Sequence, residues 1–479
     1  MYIELNRKGS KDLPTQISEA IGSRISSGLL ERGTRLPSVR GLAVSLKVSQ
    51  VTISKAYAEL ERRGLIHCAH GRGCFVSDAE QKKGHEEAYW PKQYDDYLPR
   101  AQLWRNFDNS EVNYPFHLAA IHAEMLPLQH IGTQMASLVL EQPELMATYG
   151  NFQGDLELRE VMKVHLQERG IMLPSSNLMI TSGSQQGIDL VARTFVGPGD
   201  TVYMEAPSYT GAIDVFAGRG AEMIFVPMDS DGMRIDILTK LCDQRPPKLI
   251  YTCPTFQNPS GVTMSIARRQ RLLDLARSYR CLIVEDDPFS DLYFRSPAPP
   301  SIKSMDTEGH VVYLKSFSKV LAPGCRIACV AAESNILSRL IAAKSASDLG
   351  GPLLTQRAVL PFIAKNYYAY AEQLRFKLRN RMEKAANLLR QYAPSGVSWV
   401  IPEGGLNLWV ELPPTTDIMA LHTLAHKMSI SFLPGDVCYS GEIKSRHIRL
   451  CYAQMAEADM ERGLKLFLNL LSNFMSKIN

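Results

Sequence analysis

In the stretch YLKSFSKVLAPGCRI, Lys319 stands beside two serines, Ser316 and Ser318, and a Pro-Gly-x-Arg turn that ends at Arg326. A lysine at the end of a strand, where neighbours and partial burial lower its pKa, can attack a carbonyl and hold it as a Schiff base. The hydroxyls and the guanidinium around it suit a phosphate. One lysine among 53 Lys+Arg would by itself read as a solvated charge. Three other stretches argue otherwise. ITSGSQQGIDL passes from a strand through Gly183-Ser184-Gln185 into a helix, so free backbone N–H groups and the helix dipole face whatever anion lies there. YTCPTFQNPSG ends a strand in Asn258-Pro259-Ser260-Gly261, which alone would be a plain turn. CLIVEDDPF ends an apolar strand in Glu285, Asp286 and Asp287. Acids so placed cost desolvation unless they meet a cation or a ring nitrogen that carries a proton.

Phosphate nest, asparagine, aspartate, lysine with serines, and arginine follow one another along the chain. These are the parts that hold pyridoxal 5′-phosphate: an anion cradle, a donor near its phenolic oxygen, an acid that keeps its ring nitrogen protonated, and an amine for its aldehyde. The elements that must position them are short β-rich runs, NLMITSGS, DTVYMEAPSY, AEMIFVPM, KLIYTCP, RCLIVEDD and HVVYLKSFS, which alternate with helical patterns from residue 116 onward. That alternation predicts an α/β fold with a mostly parallel sheet, and such sheets bind ligands at the carboxyl ends of their strands.

The first 78 residues read differently. They hold 12 Lys+Arg against 7 Asp+Glu, leaving 41 against 42 for the rest, so the basic excess is N-terminal, where a polyanion-binding head needs it. Ser38 is a natural N-cap for a helix with Val39, Leu42, Ala43 and Leu46 on one face. Ser49 caps a second, SQVTISKAYAELERRG, whose apolar stripe is Ile53, Ala56, Tyr57 and Leu60. Two short helices with a tight turn between them predict a helix-turn-helix. The opposite face presents Val51, Ser54, Lys55 and Arg62, flanked by Gln50 and Thr52, groups suited to base edges and phosphates in a major groove. LIHCAHGRGCFVS then reads as a two-stranded wing with Arg72 at its basic tip.

At 479 residues, the chain is expected to form two or more domains: a head over 1–78, a charged linker over 79–115 and a large body over 116–479. The nine cysteines are odd in number and none forms a C-x-x-C pair, so neither disulfides nor a thiolate metal site is expected, as in a reducing cytoplasm. No apolar run approaches the ~20 residues of a membrane span, and the start carries no apolar signal region.

QISEAIGSRISSGLLERGTRLPSVRGLAVSLKVSQVTISKAYAELERRGLI resembles a GntR-type winged helix-turn-helix along nearly its whole length. The resemblance implies that Arg35, Ser38 and Arg40 touch the DNA backbone and that the helix from Ser49 reads bases. Gln50 stands where the family usually has arginine, and amide readout favours adenine over guanine. Residues 116–479 resemble the fold-type I, aspartate-aminotransferase-like enzymes, through TYGNFQGDLELREVMKVHLQERGI, APSY, QNPSG, VEDDP, SFSKVLAPGCRI, EGGLNLWVEL and HIRLCYA. The joined chain resembles the MocR subfamily of GntR regulators. That resemblance implies a smaller C-terminal α/β subdomain, a homodimer, double-stranded DNA as partner and a small amino-compound effector.

It also implies roles. Lys319 forms the Schiff base, Asn258 bonds the phenolic oxygen, and Tyr209 stacks near the ring. Gly183, Ser184, Gln185, Ser316, Ser318 and Arg326 hold the phosphate. Arg449 takes a carboxylate, and Tyr149 reaches the partner subunit's cofactor. For the ring nitrogen the acid run offers Asp286 or Asp287, and spacing to Phe289 selects Asp286. Two departures stand out: Phe289 occupies the place of a tyrosine whose hydroxyl also bonds the phenolic oxygen, and Ile327-Ala328 replaces the usual x-Gly after Arg326. Losing the tyrosine donor favours sensing over efficient turnover. The alternative is a working aminotransferase with an accessory DNA-binding head.

Overall fold

A computed structural model describes residues 3, 5–7, 11–27, 29–31, 33–69, 73–77, 112–439 and 445–476. The chain divides into two compact units, Met1–Trp90 and Pro91–Asn479.

In the first unit the helices Leu13–Ser26, Val39–Leu46 and Gln50–Arg62 begin at side-chain caps: Asp12, Ser38 and Ser49 accept from the backbone N–H groups of Thr15, Gly41 and Thr52. Lys47, with φ 54°, makes the turn between the last two. Ile53, Ala56, Tyr57 and Leu60 are buried with Ile17, Ile21, Leu42 and Leu46, as the apolar spacing requires. The wing is a hairpin of β1 (Ile66–Ala69) and β2 (Gly73–Val76). Arg72 lies outside the described residues.

One expectation is overturned here. Cys68 and Cys74 are joined by a disulfide. Their spacing of six matches no familiar motif, but the antiparallel register sets Cys68 directly opposite Cys74, and pairing across a hairpin decides contact.

Most of the segment expected to be a linker lies outside the described residues, yet its last two form a strand of the second unit, β3 (Tyr114–Pro115). The main sheet comprises β4 (Leu178–Ser182), β5 (Thr201–Ala206), β6 (Glu222–Asp229), β7 (Gly232–Met233), β8 (Leu249–Thr252), β9 (Leu282–Asp287), β10 (Val311–Ser316) and β11 (Ile327–Ala331). Their spatial order is β4-β11-β10-β9-β8-β5-β6-β7. Only β11 and β7 run against the rest. Strands such as Val311–Ser316 are buried throughout, which is why they read as continuous apolar runs rather than alternating ones. A smaller sheet of β12 (Ser398–Trp399), β13 (Asn407–Glu411), β15 (Leu433–Pro434) and β16 (His447–Cys451), with helices Ile418–Lys427 and Glu457–Ser476, forms the C-terminal α/β part. Here β14 (Ile430–Ser431) pairs with β3.

Behind β9 and β10 lies a buried ionic cluster. The ammonium of Lys315 meets Asp287 at 3.2 Å, Asp291 at 2.8 Å and the Ser290 hydroxyl at 2.8 Å. Arg169 also pairs with Asp291, and Tyr367 donates to it at 2.6 Å. His165 lies beside this cluster among Phe317, Tyr367 and Tyr368. Burial pushes its pKa down to about 3. The unfolded chain takes up this proton near pH 6.5 and the folded one does not, so stability falls as pH drops from about 6.5 to 3. The slope approaches about 1.4 kcal/mol per pH unit. Urea unfolding at a series of pH values in that window should show it, and His165→Phe should flatten it.

Candidate functional site

The carboxyl ends of β4, β8, β9 and β10 meet at a cavity of about 600 Å³ lined by 21 residues, among them Ser184, Gln185, Tyr209, Asn258, Asp286, Ser316, Ser318, Lys319, Arg326 and Arg449. Ten of the side chains expected at the site from the sequence are thus brought together. Gly183 stands next to Ser184 at the start of the helix Ser184–Phe195. It has φ +80°, and a Cβ there would lie 2.3 Å from the guanidinium of Arg326, so only glycine admits that arginine to the helix end. Tyr149 is not in the cavity; it is 78% exposed.

Lys319 donates to the Ala119 carbonyl at 2.5 Å. Burial brings its pKa down to about 8, and the nearby Arg449 and Arg326 act in the same direction. Asp286 and Asp287 are separated by the pleat of β9. Asp287 is used behind the sheet by Lys315, by the Ser290 N–H at 2.9 Å and by the Tyr313 hydroxyl, and sits down at about 2 despite its burial. Asp286 faces the cavity. Its Oδ2 accepts from the Tyr251 hydroxyl at 2.8 Å, its Oδ1 has no partner, and burial pushes its pKa up to about 7. Arg449 is buried, donating to Asn258 Oδ1 at 2.8 Å and to the His117 carbonyl, with Nε unpartnered.

Tyr209 donates to Gln185 Oε1 at 3.1 Å, and Gln185 in turn donates to the Gly211 carbonyl at 2.9 Å. The Asn258 turn is more than a plain turn. Glu205, fully buried, accepts from Thr252, the Cys253 N–H and Gln257, and so pins the residue before Asn258. Phe289 is buried against the cavity and offers no hydroxyl.

Sequence reasoning missed Tyr251, Glu205 and the backbone run His117–Ala120. Tyr251 could have been found by counting along β8, since it lies opposite Val284, two residues before Asp286 on the neighbouring strand. The other two come from distant parts of the chain and left no local signal.

Residues 121–467 match the family described as aminotransferase class I and II. The chain belongs to that family. Residues 13–76 match the bacterial regulatory proteins of the gntR family, so a DNA-binding head is joined to an aminotransferase-like body. Aromatic-amino-acid aminotransferase 1 of Thermococcus litoralis is 33% identical over 362 residues, 74% of this chain and 87% of that one. The uncharacterized HTH-type transcriptional regulator YdfD of Bacillus subtilis is 30% identical over 469 residues, which cover 95% of this chain and 96% of its own and so span both parts. Among solved structures, the α-aminoadipate aminotransferase LysN of Thermus thermophilus, complexed with N-(5′-phosphopyridoxyl)-L-leucine, superposes with a TM-score of 0.76 at 28% identity, over 81% of this chain and all of that one.

Pyridoxal 5′-phosphate is the cofactor of the aminotransferase class I and II family. The residues present fit it: an unpartnered buried carboxylate oxygen, a glycine that lets an arginine close on a helix N-terminus, and a buried amine of lowered pKa share one cavity. Among the described residues no helix is long and apolar enough to cross a membrane, and no group of His, Cys, Asp and Glu is placed to hold a metal.

Proposed function

We propose that this chain is a transcription regulator of the cytoplasm, acting as a homodimer, whose head binds promoter DNA and whose body reads an amino compound or the cofactor itself. Its MocR-like organisation, with a head over 1–78 and a body from 116, is part of that reading. Exposed on the head are Arg35, Ser38, Arg40, Ser49, Gln50 and Lys55, with Thr52 half-buried. The hydroxyls of Ser38 and Ser49 already cap helices, so their side chains set the angle of the reading helix as well as any phosphate contact.

In the body, burial leaves about a tenth of Lys319 uncharged near pH 7, the form that a nucleophile requires. Asp286 Oδ1 is free to accept a hydrogen bond from the protonated ring nitrogen of the cofactor, and that cation would return this acid to its charged form. Gly183, Ser184, Gln185, Ser316, Ser318 and Arg326 form the phosphate end, Tyr209 the ring's neighbour, Asn258 the partner of its phenolic oxygen, and Arg449 the carboxylate receiver. Exposed Tyr149 suits a role across a subunit boundary. When bound, the cofactor supplies an aldehyde that captures amines and a ring that draws electrons from them.

The observation that carries the regulator reading is Phe289: beside Lys319, Asp286, Asn258 and Arg449 in the cavity stands a ring with no hydroxyl donor to tune the site for turnover, in a chain that also carries a DNA reader. The complete lysine, aspartate and arginine set favours a second reading, a working aminotransferase. Purified protein given cofactor, amino donors and a keto acid separates them. A change in visible absorbance with amines and little more than a single turnover is expected; rapid multiple turnover overthrows the regulator reading. Phe289→Tyr should raise the transamination rate about fivefold, the worth of one added hydrogen bond of about 1 kcal/mol.

A further inference from the structure

We infer that Cys68 and Cys74 form a reversible thiol–disulfide site on the head, oxidised by peroxides and restored by small dithiols, whose state sets the head's grip on duplex DNA. The inference rests on the DNA-binding reading of the head and is independent of the cofactor.

The two cysteines differ from the rest of the chain's thiols. Cys242, Cys253, Cys281, Cys325, Cys329, Cys438 and Cys451 are free and buried, whereas Cys68 is exposed and Cys74 half-buried. An oxidant arriving from solvent therefore meets this pair first. Both partners are already in place, because the hairpin register faces Cys68 with Cys74 and their disulfide closes across it. In a reducing compartment a disulfide at such a place is a transient one, made and unmade with conditions.

The chemistry balances with a peroxide. The Cys68 thiolate attacks one peroxide oxygen, and the O–O bond breaks to give a sulfenic acid and water. The Cys74 thiol then displaces the sulfenic oxygen as a second water and the S–S bond forms, so two thiols lose two electrons and two protons to one peroxide. A small dithiol returns both thiols by exchange and leaves as its own cyclic disulfide.

The state of the pair bears on DNA through Arg35. The Cys74 carbonyl accepts from the Leu36 N–H at 2.8 Å, and Arg35 itself bridges to Phe75 on β2. The Arg35 side chain lies over Gly73, where an added Cβ would sit 3.0 Å from its Nε. This guanidinium, a proposed phosphate contact, thus rests on the strand that carries Cys74, and the helix with Arg40 starts just after it. A two-stranded hairpin is marginal by itself, and a cross-link removes its open states, so less ordering remains to be done on binding. The disulfide form should hold DNA several-fold more tightly.

The test uses the full chain. Peroxide-treated and dithiol-treated protein are compared by thiol counting and peptide mapping, and each is titrated against a labelled random-sequence duplex at one fixed low salt concentration. Expected are a single linkage between Cys68 and Cys74, several-fold tighter binding in the oxidised form, reversal by dithiol, and no response in Cys68→Ser/Cys74→Ser, whose folding is checked by its thermal transition. Linkage with equal or weaker binding overturns the inference alone, as does failure of the linkage to form or an equal response in the double variant. Absence of binding by both forms overturns the DNA reading of the head, and this inference with it.

Discussion

Lys319→Ala should lose the visible absorbance band that the full chain acquires with pyridoxal 5′-phosphate, and should release the cofactor on gel filtration. The expected loss of affinity is at least about 100-fold, or about 2.7 kcal/mol, because the phosphate cradle and Asp286 remain while the covalent anchor is gone. The fold should survive, since the only hydrogen bond lost among those described is the one to the Ala119 carbonyl. Lys319→Arg serves as the partner variant: it keeps a cation in the cavity but offers no nucleophile near neutral pH. Retention of the band by either variant, with wild-type affinity, would remove Lys319 from its proposed role.

Lys315→Met should cost the body about 3–5 kcal/mol, the effect of breaking one side of a buried ion pair. Lys315 is fully buried, and its ammonium touches two carboxylates, Asp287 and Asp291, that would be left facing each other with Arg169 alone between them and neutrality. The pH dependence fixes the sign. Asp287 is held at about 2 and Asp291 lower still by Lys315 and Arg169 working against burial. Depressed carboxylates stabilise the fold above their unfolded pKa near 4, and that stabilisation is lost as pH falls through the folded values. The variant should therefore be weakest relative to wild type at neutral pH and converge on it in acid. Urea unfolding at pH 7 and pH 3 measures both statements, and a loss under about 1 kcal/mol at pH 7 would contradict the first.

These two lysines, four residues apart, show what a sequence makes legible. Lys319 could be read because its surroundings recur in a fixed order along the chain, and that order survives without knowledge of any distance. Lys315 could not, because its partners become partners only when β9 and β10 align Lys315 with Asp287. The same distinction runs through the molecule. The head's helices were visible in their caps and apolar stripes, which are local. The disulfide, Glu205 beneath the Asn258 turn and Tyr251 beneath Asp286 depend on register and on long-range approach. The expectation of Asp286 over Asp287 comes from the spacing to Phe289 that the family resemblance supplies. The reason for the division of labour, one acid on each side of a pleat, appears only with the strand in place.

Lys319 and Arg449 both lean on one short run of main chain, through the carbonyls of Ala119 and His117. Whatever draws the amine and the guanidinium to itself must take them from that run, unfastening two moorings in one event at about 1 kcal/mol apiece. This run follows directly on β3, so an arriving guest slackens the main chain right beside the point where β14 holds the body's first strand.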